Sequence, residues 1–556
     1  MSTGEVQALL ERLVAQFAGP YDFLRELVQN AMDAGSDRAE VVLETHGDVG
    51  SEADEVVFEL RVADAGGGMD EAAIDGGLTR LFASSKTDDR TMAGGYGVGF
   101  VSVFAWEPEA VLVHTGRGGE AWELVFHPDR RFEKVALDEP VEGTTVTLLR
   151  RGRAAERPAI AEAVRDSLWR WCRFCRLELS FEDVAGGEGP ELIQDSPAPA
   201  DTPLALAELQ GDTDLHVAFA VPPGAVLLRR GLILAEGPPV GLLAAALPDL
   251  GRSAEHLQVW VDSPLLRTTI ARDKVVEDAG QRAVLARVGA ALGTLRARLL
   301  AALEQAAAAA GPWTLERHAH YAYLHAHLGR ELAAVGTMAR ARPLLRDLAG
   351  AAALAPTRLA ELLRGRPVLA ADPARDADPG LLAAAAAAGF PVLAADPGDF
   401  EWLGDLLEGT GAGPVVALGR GLRREQARGD GEALRAAVER GLLGAGVVVQ
   451  VRLAREEGPE GRPGLVGLEV GGDASGALVV YAPVLWPESA WKAATLWISD
   501  GPLLRAALKA GDHAPRTAAV TLACAVAAAL GRPGNEAGEI AGALADLSQG
   551  PGQGPH

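Results

Sequence analysis

Residues 23 to 33, Phe-Leu-Arg-Glu-Leu-Val-Gln-Asn-Ala-Met-Asp, constrain this chain more than any other stretch. Leu24, Leu27, Val28 and Ala31 recur at helical spacing, with Pro20 suited to the helix start and Gly35 to its stop. Glu26, Asn30 and Asp33 stand at i, i+4 and i+7. At about 100° per residue they fall within roughly 60° of one another around the helix. A carboxylate, an amide and a second carboxylate therefore line one stripe beside an apolar one. Ordinary amphipathic surface helices carry such faces too, so the stripe gains meaning only from the segments downstream of it.

The first of those segments is a strand ending in a carboxylate. Glu55 to Ala63 alternates Val56, Phe58, Leu60 and Val62 against Glu55, Glu59 and Arg61, the pattern of a half-buried strand. It runs into Asp64-Ala-Gly-Gly-Gly-Met69. A second glycine cluster, Gly94-Gly-Tyr-Gly-Val-Gly-Phe100, precedes the apolar run Val101 to Trp106. Glycines let backbone amides approach a phosphate, and a helix N-terminus adds favourable partial charge. No Gly-Lys-Ser/Thr comes after it, so this is not a Walker loop, and the Gly-x-Gly-x-x-Gly spacing after a strand is also missing.

Together and in this order, Glu26-x-x-x-Asn30-x-x-Asp33, Asp64-x-Gly66-x-Gly68-Met69 and Gly94-x-Tyr96-Gly97-Val98-Gly99-Phe100 resemble the nucleotide site of the GHKL ATPases. That group comprises the gyrase, ninety-kilodalton heat-shock protein, histidine-kinase and MutL branches. The stretches Phe-Leu-Arg-Glu-Leu-Val-Gln-Asn-Ala-Met-Asp-Ala and Gly-Tyr-Gly-Val-Gly-Phe-Val-Ser look most like the heat-shock branch. Ala83-Ser84-Ser85-Lys86 resembles the Ser/Thr-Ser-Lys segment that neighbours the phosphates, and Gly143-Thr144-Thr145 the glycine-threonine element beside the adenine-binding carboxylate. A surface lysine and a strand threonine are the alternatives at those two places.

The resemblance implies a Mg²⁺-dependent ATPase whose cofactors are ATP and Mg²⁺. Glu26 would activate the water, Asn30 would hold Mg²⁺ through its carbonyl oxygen, and Asp33 would join the water network around the base. Asp64 would accept from the adenine amine, with Gly66, Gly68, Met69 and Thr144 around it. Gly94, Gly95, Tyr96, Gly97, Val98, Gly99 and Phe100 would cradle the phosphates beside Ser85 and Lys86. In one respect the chain departs from the heat-shock pattern. Only Thr87 to Ala93 separate Lys86 from Gly94, where those relatives carry a longer lid, which puts lid-gated turnover in doubt.

Length and charge bound the remaining choices. A chain of 556 residues has room for two to four domains, and 48% apolar residues mark it as globular. The formal charge of −24 argues against a general binder of nucleic acid or anionic membrane, because phosphate attraction needs clustered Lys and Arg. The opening Met1-Ser-Thr-Gly-Glu has neither basic flank nor apolar core, and apolar runs such as Leu232 to Leu247 are broken by Glu and Pro. A cytoplasmic chain, neither membrane-bound nor bound to nucleic acid, is expected. Cys172, Cys175 and Cys524 make no disulfide framework, and Cys172-x-x-Cys175 without a second pair reads as two core cysteines.

An α+β architecture is predicted over residues 1–185, a two-layer α/β sandwich of the GHKL (Bergerat) type with strands at 39–46, 55–63, 110–115, 121–126 and 144–150. Residues 184–204 read as a linker or long hairpin tip. A second, α/β unit is expected over 205–430. Its strands are placed at 216–221, 225–234 and 256–262, its helices at 281–308 and from 315 to 363. His318, His320, His325 and His327 read as a plain helix surface; Glu331 comes four residues after His327, but two groups on one helix complete no metal site. Pro367-Val-Leu-Ala-Ala-Asp-Pro373 returns as Pro391-Val-Leu-Ala-Ala-Asp-Pro397 with a helical stretch between, which is one βαβ unit. Neither strand leads into a phosphate-binding glycine loop, so Asp372 and Asp396 are assigned no chemistry.

Leu228-Arg-Arg-Gly-Leu-Ile233 and Val261-Asp-Ser-Pro-Leu-Leu-Arg-Thr-Thr-Ile-Ala-Arg-Asp273 resemble parts of the heat-shock middle domain. The arginine that reaches the γ-phosphate in that family matches Arg272, a second catalytic candidate, a surface arginine beside Asp273 being the alternative; the glutamine four positions on is Val276 here. Residues 431–556, with strands and the apolar helix 516–530, resemble the α+β dimerisation domain of the same family, an ordinary helix closing a monomer being the rival. The resemblance thus implies a homodimeric ATP-driven chaperone clamp acting on client proteins. A nucleotide-switched signalling or defence ATPase with one dedicated partner is the alternative. A MutL-type repair clamp is third, disfavoured by Arg272 in place of lysine and by the acidic charge.

Overall fold

Alternation along Glu55–Asp64 becomes a strand whose every second residue, Val56, Phe58, Leu60 and Val62, is buried. The computed structural model describes residues 19–47, 55–79, 99–129, 131–196, 202–269, 274–375, 378–444, 447, 449–455, 465–481, 494–511 and 513–530. The chain divides into two compact units, 1–295 and 296–556.

The first unit opens on α1 (Phe23–Asp33), succeeded by β1 (Arg38–His46) and β2 (Glu55–Asp64). Then come β3 (Ala110–Arg117), β4 (Glu120–Phe126), β5 (Phe132–Ala136) and β6 (Thr144–Arg153). Helix α2 (Arg157–Cys172), β7 (Glu178–Asp183) and β8 (Glu191–Leu192) complete an eight-stranded sheet in the order β5-β4-β3-β6-β2-β1-β7-β8. Neighbours are antiparallel except β1 and β7. Helices α1 and α2 and the short turn of helix Phe100–Trp106 pack on this sheet through Phe23, Leu24, Val28, Phe100, Val103, Leu168 and Cys172. These are the two layers expected. The stretch read as a linker begins instead as sheet edge, because Glu191–Leu192 pairs with Ser180–Phe181 and Ile193 is buried.

A second sheet of the same unit runs β12-β11-β13-β10-β9. Its strands are β9 (Ala205–Gln210), β10 (Thr213–Phe219), β11 (Gly224–Arg229), β12 (Leu232–Gly237) and β13 (Leu257–Asp262). Residues 225–234, read as one strand, are two. Arg230 and Gly231 both take positive φ, 54° and 81°, between the paired Arg229 and Leu232. Two consecutive positive φ values make the tight turn whose twist matches a hairpin. Apolar residues on both sides hide that turn in the sequence. Helix α3 (Ala279–Ala308) comes next.

In the second unit α4 (Leu315–Ala341) stops well before residue 363. Arg342 precedes Pro343, whose ring disfavours the helical region for the residue before it, and Arg342 sits at φ −98°, ψ 146°. The segment read as a continuing helix is β14 (Leu345–Asp347), β15 (Ala352–Leu354) and α5 (Pro356–Leu363). The histidines of α4 are not a plain surface either: His318, His325 and His327 are buried. His325 lies against Tyr321 and Trp402, and burial holds its imidazole neutral, with a pKa pushed down to about 3. Glu331 is buried and accepts from Arg296 Nε at 2.7 Å.

The repeated heptapeptides give β16 (Val368–Ala371) and β17 (Val392–Ala394), parallel and joined through α6 (Pro379–Ala387), as the pattern predicts. With β18 (Val415–Ala417) they form a sheet ordered β15-β14-β17-β16-β18; α7 (Phe400–Leu407) packs beside β18 and α4. Five further strands close a barrel in the order β19-β20-β23-β21-β22: β19 (Leu422–Ala427), β20 (Gln450–Arg455), β21 (Val466–Asp473), β22 (Gly476–Tyr481) and β23 (Thr495–Ile498). Helix α10 (Pro515–Ala529) packs on α8 (Glu432–Gly444) and α9 (Pro502–Gly511) of its own chain. No helix among the described residues is long and apolar enough to cross a membrane.

Candidate nucleotide site

The end of α1 positions the site. Ala34 caps the helix, Gly35 adopts φ 76°, the Ser36 N–H bonds to the Ala31 carbonyl (3.0 Å), and the Gly35 N–H bonds to that of Met32 (3.1 Å). This paired arrangement is a Schellman stop, and it explains why glycine stands at residue 35. The residues that end the helix then grip the loop after β2. The Ser36 hydroxyl accepts from Ala65 N at 3.0 Å, and the Ala34 carbonyl accepts from Gly67 N at 2.9 Å. A Cβ at Gly66 would lie 2.7 Å from that of Ala34, so only glycine lets helix end and loop approach this closely.

Asp64 is the last residue of β2, half-buried, with Oδ1 accepting from Gly66 N at 2.8 Å. Burial pushes its carboxyl above the ordinary aspartate range, while the backbone amides of Gly66 and Thr144 pull the other way. Thr144 faces Asp64 across the β2–β6 ladder, and Thr115 faces Thr144 across β3–β6. Thr115, fully buried, ties these parts together. Its Oγ1 accepts from Met69 N at 2.9 Å, donates to the Gly143 carbonyl at 3.2 Å, and lies 3.0 Å from the Thr144 hydroxyl. Gly143 takes φ 69°, where a Cβ would sit 2.0 Å from the Asp64 carbonyl. Asp64, Gly66, Gly68, Met69 and Thr144 are thereby brought together. Sequence reasoning misses Thr115, since a strand threonine is unremarkable until the register puts it opposite Thr144.

The polar stripe of α1 is graded rather than uniform. Glu26 is 2% exposed, whereas Asn30 and Asp33 lie at the surface. Arg25, next to Glu26, is buried with its guanidinium 5.1 Å from the Trp171 ring. Asp33 accepts from Arg230 Nη1 at 2.6 Å, which ties α1 to the β11–β12 turn. That turn is itself anchored: the Gly231 N–H bonds to Asp262 Oδ2 at 2.8 Å, and a Cβ at Gly231 would lie 2.3 Å from the Phe174 carbonyl. Of the phosphate loop, Gly99 and Phe100 are described. Gly99 accepts from the Ser102 backbone and hydroxyl, and Phe100 packs at 5.1 Å on Phe126 in the turn that abuts α1. Ser85, Lys86, Gly94, Gly95, Tyr96, Gly97, Val98, the short lid 87–93 and Arg272 lie outside the described residues.

Cys172 and Cys175 are buried free thiols held protonated by burial, Cys172 strongly so and Cys175 pushed up to about 11. Thiolates are what bind metals and react, so this pair is core packing, as the sequence suggests.

Residues 22–139 match the family model for the histidine kinase-, DNA gyrase B- and HSP90-like ATPases. That span includes α1, the Asp64 loop and the Phe100 turn, so the sheet-rich N-terminal region is of the GHKL ATPase type, which supports ATP binding and hydrolysis. Comparison with curated proteins returns no match.

Proposed function

We propose that this protein is an ATP-dependent molecular chaperone of the ninety-kilodalton heat-shock type, a dimeric clamp that hydrolyses ATP to hold or remodel client proteins. The observation that supports the nucleotide half best is the stapling of Asp64 to the end of α1, which sets a half-buried carboxylate beside the helix bearing Glu26 and Asn30. A carboxylate there selects adenine by accepting from its exocyclic amine. Glu26, shielded from bulk water, orients the attacking water and takes its proton. Asn30 offers a hard oxygen at the surface, which fits an ion that keeps most of its ligands from water and phosphate. Bound there, Mg²⁺ would offset charge developing on the phosphates.

The clamp half rests on resemblance. Residues 1–185 serve as the ATP-binding domain, 205–430 as a middle domain bringing Arg272 to the γ-phosphate, and 431–556 as the dimerisation domain. Analytical ultracentrifugation with and without a non-hydrolysable ATP analogue tests this. A dimer that sediments faster with the analogue is expected, and a monomer indifferent to nucleotide rejects the clamp. Suppression of aggregation across several unrelated substrates is expected of a chaperone. A single stoichiometric partner would instead identify a dedicated switch.

A further inference from the structure

The internal repeat does more than build a βαβ unit. In each copy the aspartate comes directly after Val-Leu-Ala-Ala, so Asp372 and Asp396 lie just beyond the carboxyl ends of the adjacent parallel strands β16 and β17. The carboxyl edge of parallel strands is where α/β sheets take their ligands. A third group arrives there from elsewhere in the chain. His318, in the first turn of α4, places Nε2 3.0 Å from Asp396 Oδ1. One donor atom from each of His318, Asp372 and Asp396 lies within 4.8 Å of the others.

Of the three, Asp372 is the one that packing explains least. His318 is 6% exposed and turns Nε2 toward Asp396, while Nδ1, which has no hydrogen-bond partner among the described residues, points away from that carboxylate. The Asp372 side chain is 7% exposed. Its Oδ1 accepts from Ala374 N at 2.8 Å, and its ion-pair partner is the exposed Arg375, 3.6 Å from Oδ2. Asp396 thus holds the imidazole, and the buried Asp372 beside it has only a peripheral guanidinium as its cationic partner. Buried charge of this kind is stabilised by a partner cation or by a metal.

We propose that His318, Asp372 and Asp396 bind a divalent transition-metal ion. One imidazole nitrogen and two carboxylate oxygens suit Zn²⁺ or Mn²⁺, and three protein donors leave coordination positions open to water or a ligand oxygen. This site is separate in sequence from the nucleotide site and does not depend on how that site works.

The test uses the full-length, tag-free chain, stripped with chelator and dialysed without nucleotide against Zn²⁺ or Mn²⁺ alone. Bound metal is then measured by mass spectrometry. About one ion per chain is expected, with affinity at least roughly tenfold weaker in Asp396→Asn and His318→Ala, since even groups outside the coordination shell are worth that much. Asp396 is 42% exposed and asparagine can keep its turn-capping role, so loss there is not loss of the fold. Asn30→Ala should retain the ion, placing it away from the nucleotide site. In the wild-type chain the same metal should raise the unfolding temperature, and the rise should vanish in His318→Ala. A wild-type chain that retains no ion, or variants that retain as much as it does, would overturn the site.

Discussion

Arg230 Nη1 donates to Asp33 Oδ1 at 2.6 Å, joining the turn of a hairpin in the second sheet to the last residue of the helix that carries Glu26. Arg230 accepts a positive φ to do so, and Gly231 beside it is fastened to Asp262. The pair is 62% and 32% exposed, so water and salt screen it. Arg230→Ala is therefore expected to cost no more than about 1 kcal/mol in chemical denaturation. A larger loss would mean that the turn, rather than the ion pair, has been disrupted.

Glu26→Ala should separate binding from turnover. Removing a general base typically lowers the rate about 10²- to 10⁴-fold. Phosphate release should fall by that range while calorimetry shows ATP still bound; normal turnover rejects Glu26 as the base.

Asp64→Asn should trade affinity for stability. Losing a charge-assisted hydrogen bond of about 1.5–3 kcal/mol weakens ATP roughly 10- to 150-fold. Burial raises the folded-state pKa of Asp64, so the folded chain holds this proton more tightly than the unfolded one. The stability it contributes is full below the unfolded pKa and is lost as pH rises through the folded value. At neutral pH the ionised carboxylate is thus a cost. Thermal unfolding without nucleotide should show Asp64→Asn at least as stable as wild type at pH 7, its advantage shrinking as the pH is lowered through that window.

Thr115→Val keeps the shape and removes the hydroxyl that Met69 N, Gly143 O and Thr144 share. A donor left unpaired costs about 1–3 kcal/mol, to be read from denaturant midpoints, and ATP affinity should fall with it because Met69 and Thr144 lose their common anchor. Gly143→Ala should be at least as damaging, since its Cβ meets the Asp64 carbonyl at a positive φ.

Thiol reagent at pH 8 should leave Cys172 and Cys175 unmodified in the folded protein, because burial raises both pKa values. Half-buried Cys524 is the first candidate to react, and all three should titrate after unfolding. Rapid modification of the native pair would contradict their core placement.

Local pattern was enough for α1, the alternating strands of the first sheet, the Gly35 stop and the βαβ unit, because each depends on spacing within a dozen residues. It was enough as well to single out Asp64 with its glycines as a strand-end cluster. Where one residue's backbone preference decided the outcome, pattern misled: Arg230 and Gly231 split a strand, and Pro343 ended a helix that alanine would have prolonged. Only the tertiary structure could supply Thr115 opposite Thr144, Arg230 on Asp33, and His318 between two aspartates more than fifty residues further on. Those pairings arise from sheet register and helix packing, which bring together side chains whose separation along the chain carries no periodicity to read.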